Sequence, residues 1–304
     1  MAKFSQVPSV LSSHSPSPAA GVLHVVATPI GHLGELAPRV REVLAEADLV
    51  LAEDTRRTRA LFHHLGLSRP LLSLHAHNEV SRLPTLLERL RGGARLALVS
   101  DAGTPLVCDP GASLIAAAHA AGIRVSPVAG PSAVTAALSA AGFPCDRFRF
   151  EGFFPAAGTA RRRRLEALRE ESVPTVFYEA PHRLLATLED ACVVLGGERE
   201  AVLAHELTKI HETVVRDSLA GHRRRLTEAA TPPRGEYVLV LGPAPSVAVS
   251  AGESLTAEIR RALGILGEDL PPGKAAALAA RLWGIERRLA YRFLTGPEPG
   301  EDES

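Results

Sequence analysis

Aromatic side chains are scarce in this chain: nine Phe, three Tyr and one Trp make up 4% of 304 residues. The interior must therefore be built from Ala, Val and Leu, and the 46% of hydrophobic residues is enough for a large core. Cysteine is scarcer still. Cys108, Cys145 and Cys192 are odd in number, far apart and form no CxxC pair. That excludes a disulfide framework and a cysteine-based zinc site, and the cytoplasm is the simplest compartment for such a chain. Net charge is absent, with 34 Lys and Arg against 34 Asp and Glu. No global positive field draws a polyanion, so any polyanion must be held by local basic patches, in contacts that weaken with salt. No apolar run approaches the roughly 20 residues of a membrane span. Residues 1–21 are rich in Ser, Pro and Ala with Lys3 as their basic residue. They lack the continuous apolar stretch of a signal peptide and are expected to be a disordered leader.

What is present is alternation. Leu23 to Ala27 reads as a buried strand; Leu36, Val40, Val43, Leu44 and Ala47 then fall on one helical face. Strands are expected at Leu49 to Ala52, Leu71 to Leu74, Leu96 to Val99 and Arg124 to Val128, and helices over 80–91 and 112–121. This order predicts an α/β domain with a mainly parallel sheet over 22–130. Gly130-Pro131-Ser132 breaks the pattern, and Ser132 suits the cap of a helix running to about Ala141. A second alternating series fills 131–243. Its strands are expected at 148–151, 175–178, 201–205, 211–215 and 236–241, with helices near 160–170 and over 182–195. Residues 244–254 read as a linker. Residues 255–296 form a helical appendix, with Pro272 at a helix start and Gly284 in a tight turn, a weak helix-turn-helix pattern. Residues 297–304 read as a solvated tail.

Polar residues gather where strands end. Thr28-Pro29-Ile30-Gly31-His32-Leu33-Gly34 follows the first strand, and its glycines permit close backbone approach to a ligand. It is not GxGxxG, so the dinucleotide fingerprint fails, although Glu53-Asp54 ends the second strand about where a ribose-binding acid would stand. Asp54 or Thr55 can equally cap the helix that follows. His75-Ala76-His77-Asn78-Glu79 carries alternate histidines without a further ligand cluster, which favours polar contacts over a metal. Ser100-Asp101-Ala102-Gly103-Thr104-Pro105, running on to Asp109-Pro110-Gly111, would expose main-chain groups to a ligand, with Asp101 facing a positive charge or capping a tight loop. Phe177 to Arg183 and His205 to Lys209 each follow a strand; Glu206 and Lys209 can form a structural ion pair. Arg161 to Arg164 is a basic run, either a solvated face or a local phosphate site.

Taken in order, TPIG, AEDTR, HAHNE, SDAGTP with DPG, GPS, SAAG, EGF, FYEAPHR and HELTK resemble the ribosomal RNA small subunit methyltransferase I family of the tetrapyrrole methylase superfamily. The likeness runs from about Leu23 to Leu241, and the last helices resemble the helix-turn-helix appendix of some members. The resemblance implies two α/β domains with S-adenosylmethionine between them. It also implies transfer to the ribose 2′-hydroxyl of a cytidine in the decoding centre of 16S rRNA, and a homodimer acting on the assembled small subunit. His32 and His205 depart from the family's usual Asn and Arg, which puts individual contacts in doubt rather than the activity.

On that basis the cofactor contacts are expected at Pro29, Ile30, Gly31, Asp101, Ala102, Gly103, Thr104, Pro105, Ser132, Ala180 and Leu207. In-line methyl transfer needs positioning and a group to assist the weakly acidic hydroxyl. The base is sought among Glu53, Asp54, Glu79 and Glu206; Lys209 or Arg56 can lower the hydroxyl's pKa or hold a phosphate. RNA contacts are expected at Arg56, Arg161, Arg162, Arg163 and Arg164, and no metal is expected. Two rivals stand: a tetrapyrrole C-methyltransferase, and a non-catalytic RNA-binding assembly factor using the helical appendix.

Overall fold

The computed structural model describes residues 21–244, 255 and 257–296. Nearly all of the expected leader, the linker after Ala244 and the tail lie outside the described residues. The chain forms two compact units. One contains both sheets; the other comprises Arg169–Val173 with the chain from Pro243 onward.

The first sheet is parallel throughout, in the order β3 (Leu71–Ser73), β2 (Leu49–Ala52), β4 (Arg95–Val99), β1 (Val22–Val26), β5 (Arg124–Val128). Its strands alternate two apolar faces, as a sheet covered on both sides requires. Leu23, Leu49, Leu51, Leu96 and Leu98 pack on α3 (Glu79–Arg91) and α4 (Ala112–Ala120). Val26, Val50, Ala52, Ala97 and Val99 pack on α1 (Pro38–Glu46) and α2 (Thr55–Leu65). The helices after β1 and after β4 therefore lie on opposite faces. The loops leaving these neighbouring strands part company, which opens a crevice at their carboxyl ends.

Past α5 (Ala133–Ala141) the chain enters a second sheet, in the order β6 (Arg149–Phe153), β7 (Thr175–Glu179), β10 (Tyr237–Leu241), β8 (Glu200–His205), β9 (Thr213–Ser218). Only β6 and β7 pair in parallel; the other neighbours are antiparallel. One face carries Phe177, Leu203 and Leu239 against α6 (Gly158–Glu166), α7 (Pro181–Leu195) and α8 (Leu219–Glu228). The other carries Val176, Val202, Val238 and Val240 against α5 and Ile30.

Three expectations change here. The strand placed at 211–215 is β9, two residues later. Helix α8 was not foreseen, because its sequence is polar and it is anchored by Leu219 and His222 rather than by an apolar stripe. Ser132 stands at the N-cap of α5, but its side chain makes no capping bond.

The second unit is three helices, α9 (Ala257–Asp269), α10 (Pro272–Trp283) and α11 (Arg287–Thr295). Pro272 opens α10, and Gly284 ends it in the left-handed conformation that glycine adopts without strain. Leu255, Ile259, Leu263, Ala276, Ala279, Ile285 and Ala290 form the core. Leu282 and Phe293 are exposed, and the smaller Ala276 and Ala290 fill the core, where they allow close helix packing.

Candidate active site

The crevice begins as a stitched set of loops. The Thr28 N–H donates to the Gly103 carbonyl (2.8 Å), and the Gly103 N–H returns a bond to the Thr28 carbonyl (3.0 Å). The Ser100 hydroxyl donates to the Gly103 carbonyl (2.8 Å) and the Thr104 hydroxyl to the Pro131 carbonyl (3.1 Å). The loops after β1, β4 and β5 are thus fixed to one another before any ligand arrives, which lowers the entropy that binding must overcome. Gly103 has φ +80°, a conformation that side-chain-bearing residues resist, and a Cβ there would lie 3.2 Å from Ile30 Cγ2.

Two adjoining cavities open over these loops. The larger, about 400 Å³, lies between the 101–109 loop and the second sheet. Its walls include Ile30, Glu53, Arg57, Asp101, Gly103, Thr104, Val107, Asp109, Ser132, Phe153, Tyr178, Ala180, Glu236 and Val238. The smaller, about 320 Å³, is lined by Thr28, Pro29, Ile30, Gly31, Leu33, Arg57, Asp101, Ala102 and Glu236 among others. Such volumes suit a small-molecule site. Both cavities lie within the unit that holds the two sheets.

The lining is acidic. Asp101 accepts a bond from the Asp54 N–H (3.0 Å) and stands 3.6 Å from the Arg57 Nε. Glu179 is buried and fully engaged: it accepts from the Ala180 N–H and the Thr187 hydroxyl and pairs with Arg183 at 2.6 Å. Partial desolvation raises the carboxyl of Glu53 above its ordinary value although the residue is exposed, and the Asp101 charge adds to this. Burial also pushes Asp109 up to about 6, helped by the charges of Glu53 and Asp101. Tyr178 is pushed up to about 12 by burial, then by Cys108, Asp109 and Glu236. The 106–108 stretch is strained, since Leu106 and Cys108 both take positive φ.

Most of the expected cofactor residues come together here: Pro29, Ile30, Gly31, Asp101, Ala102, Gly103, Thr104, Ser132 and Ala180 all line one cavity or the other. Pro105 and Leu207 do not. Both are buried, and Leu207 packs in the core beside Ile30 and Val134. Gly31 also has a different reason for being glycine. A Cβ there would meet Lys209 Cγ at 2.5 Å and Thr208 Oγ1 at 2.6 Å. It admits the loop after β8, which then takes a bond from the His32 N–H to the Thr208 hydroxyl (3.0 Å).

The expected catalytic set divides. Glu53 lines the larger cavity. Asp54 caps α2 and is held by Arg56 at 2.7 Å, whose hydrogen bonds bring its pKa down to about 2. Glu79 is buried at the start of α3 and accepts from the Gly111 N–H (3.1 Å) and the Leu114 N–H (2.9 Å). It caps α4 and lines neither of these two cavities. Glu206 and Lys209 form a 2.8 Å ion pair that also takes in Glu236, at 3.1 Å from Lys209. The bond from Lys209 holds the Glu206 carboxyl below the usual range.

The basic run is corrected as well. Arg161 is buried and paired with Asp190 at 2.6 Å, Arg162 also faces Asp190, and Arg164 pairs with Glu151. Arg163 is the member of the run left exposed without such a partner among the described residues. The four residues do not form a phosphate cradle because two acids from neighbouring elements neutralise three of them. His205 stacks on Tyr237 (4.4 Å between ring centres), and its Nε2 donates to the Arg234 carbonyl at 2.8 Å. His32 Nδ1 accepts from the Gly34 N–H.

Arg57, Asp109, Phe153, Tyr178 and Glu236 were missed as site residues. Asp109 lay in a noted loop, but nothing in its spacing marked it as facing a cavity. Phe153 and Tyr178 lay in the EGF and FYEAPHR motifs, but only the second sheet's position over the first brings them to the cavity.

A family model described as Tetrapyrrole (Corrin/Porphyrin) Methylases matches residues 22–221, and one described as RsmI C-terminal HTH domain matches 253–295. The chain is 49% identical to the ribosomal RNA small subunit methyltransferase I of Xylella fastidiosa, over 89% of this chain and 98% of that one. It is 50% identical to the protein of that name from Pseudomonas aeruginosa, over 90% and 96%. With the Escherichia coli O157:H7 protein of that name the identity is 45%, over 90% and 94%. Among solved structures, diphthine synthase superposes with a TM-score of 0.56 at 18% identity, covering 73% of this chain and 90% of that one. The methyltransferase CobJ gives 0.54 at 22%, covering 74% and 95%. At these identities the structures establish the fold alone.

Proposed function

The chain belongs to the ribosomal RNA small subunit methyltransferase I family of the tetrapyrrole methylases, and on that premise we propose that it moves a methyl group from S-adenosylmethionine to the ribose 2′-hydroxyl of a cytidine in the decoding centre of 16S rRNA. The observation that carries this reading is the pre-stitched crevice at the carboxyl ends of β1 and β4, with its acidic lining.

The residues present suit such a donor. Backbone groups of the 28–31 and 101–104 loops, with Ser132 and Ala180, offer hydrogen bonds to its polar ends. Ile30, Val107 and Val238 offer apolar wall. Glu53 and Asp101 set negative charge where a cationic donor would rest. The donor supplies an electrophilic methyl group; the chain's own task is to align the acceptor oxygen with it and to exclude water. Asp54, Glu206 and Lys209 hold the loops in place, and Glu79 holds α4.

The same lining argues against a tetrapyrrole acceptor. Five acids line the larger cavity; Glu179 and Glu236 are paired with Arg183 and Lys209, but Glu53, Asp101 and Asp109, with Arg57 beside Asp101, would still meet a multiply carboxylated macrocycle with like charge. For RNA we place phosphate contacts on Arg56 and Arg163, and on Arg287, Arg288 and Arg292, which share the exposed face of α11 with Tyr291. We further propose a cytoplasmic homodimer acting on assembled small subunits; no helix among the described residues is long and apolar enough to cross a membrane.

The test is label transfer from methyl-labelled S-adenosylmethionine, offered 30S subunits and uroporphyrinogen III in parallel. A single ribose-methylated cytidine in 16S rRNA is expected. Label in the tetrapyrrole, or none in either acceptor, would overturn the reading.

A further inference from the structure

We propose that Asp109 is the catalytic residue that takes the proton from the attacking ribose hydroxyl, an inference that rests on the methyl-transfer reading of this cavity. Geometry eliminates the other acids. Five carboxylates line the larger cavity. Asp101 is bonded to the Asp54 N–H and faces Arg57. Glu179 has all its capacity taken by Ala180, Thr187 and Arg183. Glu236 pairs with Lys209. Among the described residues, Glu53 and Asp109 remain without a bonded partner, and of these Glu53 is exposed to solvent whereas Asp109 is half-buried. A group meant to take a proton in a water-poor cleft should have no cation holding its negative charge and little bulk water to compete for it.

Its placement supports the role. Asp109 follows Leu106 and Cys108, two residues held at positive φ, so the loop is bent into a conformation that side chains resist. Strain of that kind persists where surrounding structure over-determines it, and it accumulates at functional positions. The charged and titratable groups that line the cavity with Asp109 are Glu53 beyond β2, Arg57 on α2, Asp101 and Cys108 on its own loop, Tyr178 and Glu179 on β7, Glu236 before β10 and Tyr237 at its start. Burial, helped by the charges of Glu53 and Asp101, holds the pKa of Asp109 at about 6, above the usual carboxylate range.

The step balances without a co-reactant beyond the methyl donor. The ribose oxygen forms a bond to the methyl carbon, the sulfur–carbon bond breaks with its electron pair passing to sulfur, and the hydroxyl proton passes to an Asp109 Oδ. Release of that proton to solvent resets the site.

The experiment uses full-length enzyme, 30S subunits and labelled S-adenosylmethionine. With wild type, label in a ribose methyl of 16S rRNA establishes the underlying reading. In Asp109→Asn, kcat should fall at least about 100-fold, while S-adenosylmethionine affinity by calorimetry stays within about threefold, near the noise of additive effects. The acid limb of the wild-type kcat/KM profile, with a midpoint at about 6, should vanish in Asp109→Asn and return in Asp109→Glu. Glu53→Gln removes a neighbouring negative charge and should move that midpoint down. Retained kcat or a retained acid limb in Asp109→Asn overturns the proposal with the methyl-transfer reading intact. Parallel loss of donor affinity overturns it too, by placing Asp109 in the donor's binding set. A wild type that leaves the rRNA unlabelled overturns both.

Discussion

His24 and His222 show how single buried rings tie stability to pH. Both ring nitrogens of His24 are buried without a hydrogen-bond partner. Burial lowers its pKa, and the charges of Arg95 and Arg39 lower it further. His222 is buried with its Nε2 donating to the Ala201 carbonyl at 3.1 Å, and burial lowers its pKa as well. The unfolded chain therefore binds more protons than the fold between the depressed values and the ordinary histidine value of about 6.5. Stability is fully present above that ordinary value and falls as pH drops below it toward the folded values. We expect His24→Leu, which removes two unpartnered nitrogens, to leave stability at about pH 8 equal or higher and to flatten the loss between about pH 7 and 5. Chemical denaturation at several pH values checks this; a steeper acid loss than wild type would refute it. Gly103 makes a second residue-scale case. Valine at φ +80° would be strained and would press on Ile30. Gly103→Val should therefore weaken donor binding about 5- to 30-fold if the loop must relieve a left-handed penalty of roughly 1–2 kcal/mol, while circular dichroism stays native. Wild-type affinity by calorimetry would remove that loop from the site.

Among the elements, α4 is the one whose fixing is least local. Its sequence is largely alanine, and its N-cap, Gly111, has no side chain to offer. The carboxylate of Glu79, from the first turn of α3, supplies the missing acceptors at the Gly111 and Leu114 N–H groups. A negative group there also meets the positive end of the helix dipole. Glu79→Ala leaves buried donors unsatisfied and should lower stability by about 1–3 kcal/mol. That corresponds to a Tm drop of about 2–4 °C for each kcal/mol. If activity disappeared with Tm unchanged, Glu79 would instead belong to the chemistry. The strands of the first sheet were legible because Leu23, Leu49 to Leu51 and Leu96 to Val99 are buried on both faces and read as short apolar runs. The strand-end loops were legible as a set, since small and polar residues crowd there, and in the structure they line the two cavities. Glu79 was misread as a site residue because a polar motif at a strand end and a long-range helix cap look alike in sequence. The distinction depends on a partner 32 residues away. Gly31 lines a cavity, and its further reason for being glycine was not legible, since the loop it admits comes from the other sheet.

At the scale of the whole molecule, the decisive fact is that a chain with no net charge must still hold a polyanion if it methylates rRNA. Counting arginines in sequence pointed to 161–164, and that failed because ion pairs depend on which acids the fold brings near: Asp190 from α7 and Glu151 from β6. Cations better placed for phosphate lie elsewhere. On α11, Arg287, Arg288, Tyr291, Arg292 and Thr295 share one exposed face, while Leu289, Ala290 and Leu294 turn inward. No acid lies within that helix. Three arginines beside a tyrosine suit phosphate binding with stacking on an unpaired base. Replacing Arg287, Arg288 and Arg292 by Ser should raise KM for 30S subunits and leave kcat at saturation and donor affinity unchanged. It should also reduce the slope of log K against log salt by up to about 0.7–0.9 for each phosphate that the variant no longer neutralises. The same change at Arg161 should instead lower Tm, because it leaves Asp190 without its buried partner. An unaltered salt slope in the α11 variant, or a change in the enzyme's oligomeric state with subunit affinity intact, would show that this face meets solvent or another copy of the chain rather than RNA.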